Sequence, residues 1–139
     1  MFVVRSSART PNKYASLEWL FRLLTWVCIA LVAVLSLSPG DYMTRTPAPG
    51  DLEHFFAYLG TGATASLGYK RRVGALVLGL LLCGYAGLLE LGQNWSPGRH
   101  PDLIDFASSA GGVIAGLVLI GFWNAIRIYR DRRFSGRMT

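Results

Sequence analysis

Four long apolar segments, separated by short polar ones, dominate the pattern of the chain. No Asp, Glu, Lys or Arg occurs within 23–40, 55–69, 73–89 or 106–126. A helix that crosses a bilayer needs about 20 mostly apolar residues, and polar residues at its ends can reach the interface. The pattern therefore predicts four transmembrane helices, at about residues 19–38, 52–69, 72–92 and 103–124.

The apolar runs have neither the polar stripe of a soluble helix nor the alternation of a strand. Residues 79–89 and 110–120 contain no polar face at helical spacing, whereas a helix on a soluble protein keeps one. Composition agrees, because 52% of residues are apolar, 16% are charged and mean hydropathy is +0.36; soluble domains carry about 25% charged residues. The sequence predicts an all-α integral membrane bundle of four transmembrane helices.

The 14 basic residues indicate how the bundle is oriented. Twelve lie near the N-terminus, at 70–72 or near the C-terminus, and two, Arg45 and Arg99, lie in the other loops. By the positive-inside rule both termini are predicted to be cytoplasmic. The chain then comprises a basic arm at 1–18, a transmembrane domain at 19–124 and a basic tail at 125–139. Such tails meet membrane lipids, and no nucleic-acid partner is expected.

The first apolar segment is predicted to be a retained helix. Pro39 would directly follow a signal-peptide cut after Ser38, which disfavours cleavage there. Cys28 and Cys83 fall inside apolar helices, so both are predicted to be packing residues and not a disulfide pair.

Small residues at four-residue spacing predict where helices touch in a membrane. Helix one lacks such a stripe and is expected at the periphery. The other three helices have one each: Ala57, Thr61 and Ala65; Ala75, Gly79, Cys83 and Gly87; Ser108, Gly112 and Gly116.

Polar residues gather at the helix ends opposite the basic segments. They are Asp51, Glu53, His54 and Tyr58 in helix two, Glu90 and Gln93 in helix three, and Asp102, Asp105 and Ser109 in helix four, with Arg99 in the loop between. Three helices are thus predicted to present carboxylates at one depth, where ionisable groups usually face a partner or water.

A structural role competes with a functional one for several of these acids. Asp51 and Asp102 are placed to cap helices, and Asp105 fits either role. Glu90 lies near a helix C-terminus, where the helix dipole disfavours an acid. We therefore expect Glu90 to have a cationic partner or to carry a proton, and among the cations Arg99 is the first candidate and His54 the second.

The order and spacing of these residues resemble the VanZ-like family. The resemblance covers about residues 51–117 and rests on Glu53-His54-Phe55 through Tyr58, Glu90-Leu91-Gly92-Gln93, Pro97-Gly98-Arg99, and Asp105 before the glycines of helix four. Ser109 stands where many members carry Asn. The resemblance implies a small multi-pass protein of the bacterial inner membrane, linked by the family's name to low-level teicoplanin resistance. It places the polar positions of the family on His54, Tyr58, Glu90, Gln93, Arg99 and Asp105.

A non-catalytic cell-envelope protein is the first functional hypothesis. Its outer pocket would bind a lipid-linked cell-wall intermediate, a lipid headgroup or a glycopeptide, in antibiotic resistance or envelope maintenance. Arg99 and His54 would hold a phosphate or carboxylate, and Glu90 and Asp105 would orient Arg99. The side chains that support these ligand-binding residues would be those of Glu53, Asp102 and Ser109. No cofactor and no dedicated metal site are expected. The sequence leaves open whether the protein forms a homo-oligomer.

Two other classes of function remain open. An enzyme acting on lipid or peptidoglycan precursors could use His54 with Glu53 or Asp105 for acid–base chemistry, or a carboxylate–His set for a divalent ion. No nucleophile motif surrounds its serines. A small transporter subunit could relay protons through Glu90 and Asp105, and would require an oligomer.

Overall fold

The computed structural model describes residues 13–39, 49–69 and 72–135, and within these ranges it contains helices and no strands. The helices are α1 (Lys13–Leu37), α2 (Gly50–Tyr69), α3 (Ala75–Gly92) and α4 (Leu103–Ser135). A short 3₁₀ helix, Gln93–Trp95, follows α3 directly. The all-α prediction is therefore confirmed for the described part of the chain.

Two helices are longer than the apolar pattern predicts. α1 begins at Lys13, ahead of the predicted start near residue 19, and α4 continues past residue 124 to Ser135. Apolarity marks the stretch that can lie in lipid, whereas a helix can continue into water on residues of good helix propensity such as arginine. The remainder of the predicted arm and tail, 1–12 and 136–139, lies outside the described residues.

The surface of the bundle is apolar and much of its interior is polar. Trp26, Leu80 and Phe122 are each more than 60% exposed, a pattern that is costly in water. The buried polar side chains are those of Thr25, Ser36, Thr61, Ser66, Glu90, Gln93, Ser96 and Ser109. Three stretches are long and apolar enough to cross a membrane, Ser16–Leu37, Ala75–Trp95 and Leu103–Arg133. Together these features support a helical membrane bundle.

The remaining helix, α2, lies at the centre of the bundle. It packs against each of the other three helices, and its 20 residues span about 30 Å, close to the thickness of a hydrocarbon core. α2 is not among the three stretches that are long and apolar enough to cross a membrane. A central helix meets its neighbours more than lipid, so its sequence can be less apolar.

Glycines allow α2 and α4 to approach closely. A Cβ atom on Gly112 or Gly116 would collide with the backbone carbonyls of Phe55 and Leu59 respectively. Conversely, a Cβ on Gly62 of α2 would lie 2.7 Å from the Val113 carbonyl. The predicted stripe on helix four is thus a real contact surface, as close approach of small residues in membranes suggests.

Only part of the predicted stripe on helix two lies in the interface between α2 and α4. Thr61 and Ala65 are buried, but Ala57 is exposed and lines a cavity beside α1. Gly62, which the four-residue spacing omits, makes the close approach instead.

Specific polar contacts join α1 to the bundle, although many of its side chains face outward. Arg22 Nε donates to the Gly68 carbonyl at 2.8 Å, and Trp26 Nε1 donates to the Tyr69 hydroxyl at 3.0 Å. From α3, the Tyr85 hydroxyl donates to the Ile29 carbonyl at 2.7 Å. The expectation that helix one is peripheral is therefore wrong for its packing, because α1 contacts α2 more extensively than α3 does, although most of its side chains are exposed.

These contacts also fix the direction of the helices. The start of α1 meets the end of α2, and the end of α1 meets the turn between α3 and α4. α1 and α3 consequently run one way, and α2 and α4 run the other way. We call the end holding the α3–α4 turn the site end, and the opposite end, which carries Arg22, Arg72 and the arginines of α4, the basic end.

Candidate functional site

Three helices bring one ionisable side chain each to the site end. His54 comes from the first turns of α2, Glu90 from the last turn of α3 and Asp105 from the first turn of α4. Their imidazole nitrogen and carboxylate oxygens all lie within 4.8 Å of one another. We call these three residues the His–Glu–Asp cluster.

The imidazole of His54 is held between two positions of α4. Its Nε2 lies 3.9 Å from Oδ2 of Asp105, and its Nδ1 lies 3.3 Å from Oγ of Ser109. Asp105 and Ser109 are four residues apart, and thus on one face of the helix. The two ring nitrogens therefore have different partners, an acid toward the cluster and a hydroxyl away from it.

Glu90 is the most enclosed member of the cluster. The residue is 7% exposed, and its Oε2 has no hydrogen-bond partner. The backbone N–H of Asp102 interacts with the carboxylate, and an imidazole nitrogen of His54 and a carboxylate oxygen of Asp105 lie within 4.8 Å of it. A buried carboxylate is costly unless a cation or a proton balances its charge, so Glu90 needs one or the other in this position.

Arg99 is not the partner of Glu90, contrary to the expectation from the sequence. Its Nε donates to the Ser38 carbonyl at 3.3 Å, and its Nη2 donates to the Leu35 carbonyl at 3.0 Å. Ser96 adds a third contact, from Oγ to the Leu37 carbonyl at 3.0 Å. The turn after α3, bent at Gly98 with φ 74°, thereby caps the last turn of α1, whose carbonyls attract cations.

Two cavities open beside Arg99. The first, of about 130 Å³, lies between α1 and α2; Val32, Leu35 and Ala57 form apolar walls, and Glu53, His54 and Arg99 form a polar rim. We call it the α1–α2 cavity. The second, of about 500 Å³, is lined by Asp51, Gln93, Arg99, His100, Asp102 and Asp105, and we call it the acidic cavity. A guanidinium has five N–H donors, so donors beyond the two used on α1 remain for a ligand.

The other predicted site residues lie around these cavities. Tyr58 is 1% exposed and forms the floor of the α1–α2 cavity beneath His54. Gln93 is 2% exposed, lines the acidic cavity, and has no hydrogen-bond partner for its Nε2. The predicted polar residues thus fall into the cluster itself and the walls of two cavities next to it.

The two predicted helix caps differ in outcome. Oδ1 of Asp102 accepts from the backbone N–H of Ile104 at 2.8 Å, which confirms its capping role at α4. Asp51 instead lies inside the first turn of α2, because the Pro49 carbonyl already accepts from Leu52 and Glu53. Asp51 still benefits from the positive end of the helix dipole.

The end of α1 is the part of the site that the sequence did not reveal. Leu35 and Ser36 line the α1–α2 cavity, and the carbonyls near them hold Arg99. Only the short polar stretch Ser36-Leu37-Ser38 hints at this role in the sequence. Backbone carbonyls have no signature in a sequence, so their contacts with Arg99 emerge only from the fold.

The fold and site together define a class: a helical membrane bundle with a half-buried His–carboxylate site at one end. Comparison of the chain with family models, with curated proteins and with solved structures gives no match.

Proposed function

We propose that the chain is a four-span, VanZ-like protein of the bacterial cytoplasmic membrane with both termini inside. In this proposal the site end faces outward and binds a phosphate-bearing group of a membrane lipid or a lipid-linked cell-wall intermediate. A role in envelope maintenance or low-level glycopeptide resistance follows from the resemblance. The basic residues support the orientation, because the described ones lie mainly at the end opposite the site.

The α1–α2 cavity is the observation that carries this proposal. Its rim combines the guanidinium of Arg99, the imidazole of His54 and the carboxylate of Glu53. Val32 and Leu35 add apolar lining from α1, and Leu35 is exposed on the outside of the bundle. An amphipathic ligand has the matching pattern, with an anionic head beside an acyl chain. Arginine is suited to phosphate, since it can offer paired donors.

The size of the α1–α2 cavity narrows the choice of ligand. At about 130 Å³ it is smaller than the roughly 300–1,000 Å³ of sites that enclose a whole small molecule. It can accept one phosphate group while the rest of the ligand stays in the bilayer or in water. A lipid is favoured over a glycopeptide, because the apolar lining of the cavity suits an acyl chain beside the phosphate.

Lipid retention on purified protein tests this proposal. The full chain in detergent is mixed with phosphatidylglycerol, phosphatidylcholine or undecaprenyl phosphate, and bound lipid is counted by native mass spectrometry. We expect the wild type to retain the anionic lipids over phosphatidylcholine, and the better retained one to identify the source of the phosphate. Arg99→Ala should reduce retention about tenfold, the size of one lost charge-assisted contact.

Two further variants make that result specific. Arg99→Ala also removes the cap of α1, so His54→Gln, which leaves α1 untouched, should weaken retention in the same direction. Arg127→Ala removes one exposed charge at the basic end and should leave retention within twofold. Equal retention by wild type, Arg99→Ala and His54→Gln would refute headgroup binding at this cavity.

An enzyme is the second candidate, because His54 lies between Asp105 and Ser109. Ser109 is only 2% exposed, so it is poorly placed to attack a substrate. His54 and Asp105 retain some exposure and could exchange protons with a bound headgroup. Release of inorganic phosphate from undecaprenyl diphosphate, lost in His54→Ala, would favour this candidate over a binding protein.

A further inference from the structure

We propose that the His–Glu–Asp cluster binds one divalent transition-metal ion, with zinc as the best match. The cluster offers one imidazole nitrogen and two carboxylate oxygens. Zinc is commonly held by such nitrogen and oxygen ligands, and a site with three protein ligands leaves a position for water or for a substrate atom.

The spacing of the cluster is close to what a metal requires. Adjacent ligands of a tetrahedral zinc ion are roughly 3.4 Å apart, as follows from bonds of about 2.1 Å. The three donor atoms lie within 4.8 Å of one another, so small side-chain rotations would bring them into range. The backbones that carry two of them are fixed, because α2 and α4 touch through Gly112 and Gly116.

The electrostatics of the cluster also favour a cation. Two carboxylates lie beside one imidazole, and one of them, that of Glu90, is buried with Oε2 lacking a hydrogen-bond partner. Asp102 adds a third negative group nearby, whereas the guanidinium of Arg99 is directed at α1. A divalent ion would balance the charge of Glu90 and Asp105 and would give Oε2 a partner.

In many metal sites, nearby groups hydrogen-bond to the side chains that bind the ion, and the cluster has such neighbours. If Nε2 of His54 binds the ion, Nδ1–H can donate to Oγ of Ser109, at 3.3 Å, and this fixes the tautomer and the ring orientation. The acidic cavity reaches Asp105 from the surface and is bordered by Asp51 and Asp102, which provides an attractive route for a cation. The unpartnered Nε2 of Gln93 lines the same cavity.

Metal content and metal titration test this inference without any lipid. The purified full chain is stripped with a chelator, dialysed, and loaded with Zn²⁺ or Co²⁺; bound metal is then counted by elemental mass spectrometry. We expect one ion per chain and a visible Co²⁺ absorption typical of four- or five-coordination. His54→Ala, Glu90→Gln and Asp105→Asn should each weaken zinc binding at least a hundredfold.

Asp131→Asn is the control, because it removes one exposed carboxylate from α4 at the basic end, at the opposite end of the helix from the cluster. Its zinc affinity should stay within about threefold of the wild type. Thermal unfolding separates loss of metal from loss of fold: zinc should raise Tm of the wild type by several degrees, and metal-free Glu90→Gln should melt no lower than the metal-free wild type.

Three outcomes would overturn the inference. The first is no zinc binding above the level of Glu90→Gln, and the second is an equal loss of affinity in Asp131→Asn. The third is no rise in Tm with zinc, which is expected if the cluster holds a shared proton instead. The metal experiment contains no phospholipid ligand, and the lipid experiment can be run on chelator-treated protein. Failure of one proposal is therefore distinguishable from failure of the other.

Discussion

Nδ1 of His54 lies 3.3 Å from Oγ of Ser109, across the interface where α2 and α4 pack most closely. Ser109 is 2% exposed, whereas His54 is half-buried and lines the α1–α2 cavity. The imidazole is thus positioned by a buried hydroxyl on one side and presents its other nitrogen to Glu90 and Asp105.

Ser109→Ala should leave the fold intact and weaken the metal site. The variant removes the hydroxyl that orients His54, and loss of such an outer partner costs about 10- to 100-fold in metal affinity. Zinc titration of the purified protein measures the change. Ser108→Ala, on the adjacent half-buried position, is the control and should bind zinc as the wild type does. Equal affinity in Ser109→Ala and wild type would show that the hydroxyl does not orient the ring.

Gly112→Ala should destabilise the bundle by about 1–3 kcal/mol, the usual cost of overpacking. The new methyl group would meet the Phe55 carbonyl, and a backbone atom cannot rotate away. Gly121→Ala is the matched control on the same helix, since nothing lies within 4 Å of its Cβ position; it should be neutral or stabilising. Unfolding in a graded SDS–detergent mixture measures both. Similar curves for the two variants would contradict the close α2–α4 packing.

Tyr85→Phe should lower the unfolding free energy by about 0.5–1.5 kcal/mol, the range for one interhelical hydrogen bond. The variant keeps the ring and removes only the donor to the Ile29 carbonyl, which lies 2.7 Å away. Tyr129→Phe, at an exposed position of α4, is the control and should have no effect. The same SDS titration reports both, and an unchanged Tyr85→Phe would mean that α1 is held by its other contacts.

Cysteine labelling in intact cells should show that α2 crosses the membrane. In a Cys28→Ala, Cys83→Ala background, Gly50→Cys and Trp95→Cys should react with an impermeant maleimide from outside. Arg72→Cys and Arg132→Cys should react only after the membrane is opened. All four positions are exposed, so accessibility within the bundle does not limit the reaction. Labelling of Arg132→Cys in intact cells would reverse the proposed orientation.

The stretches without charged residues predict all four helices, although not the full lengths of α1 and α4. The positions of the helix ends also predict that some polar side chains meet. The ends of α2 and α3, at Tyr69 and Gly92, lie where the charge pattern places them. His54, Glu90 and Asp105 meet because the starts of α2 and α4, which run in the same direction, lie level with the end of α3, which runs in the opposite direction. These features depend on length and spacing, both of which can be read from a sequence.

The position of Arg99 could not be predicted in the same way. From charge alone its natural partner was Glu90, yet it binds the carbonyls of Leu35 and Ser38. Carbonyl groups are present at every residue, so their availability depends on where a helix stops and which loop passes over it. For the same reason the contribution of α1 to the α1–α2 cavity became visible only in the folded chain.

The cap on α1 has a consequence for biosynthesis. The bonds from Ser96 and Arg99 join residues separated by 59 to 64 positions along the chain. A nascent α1 therefore leaves the ribosome well before the side chains that complete its final turn. Until the turn after α3 has been made, those carbonyls depend on water or headgroups, so the last turn of α1 acquires its cap only after the third helix has been synthesised.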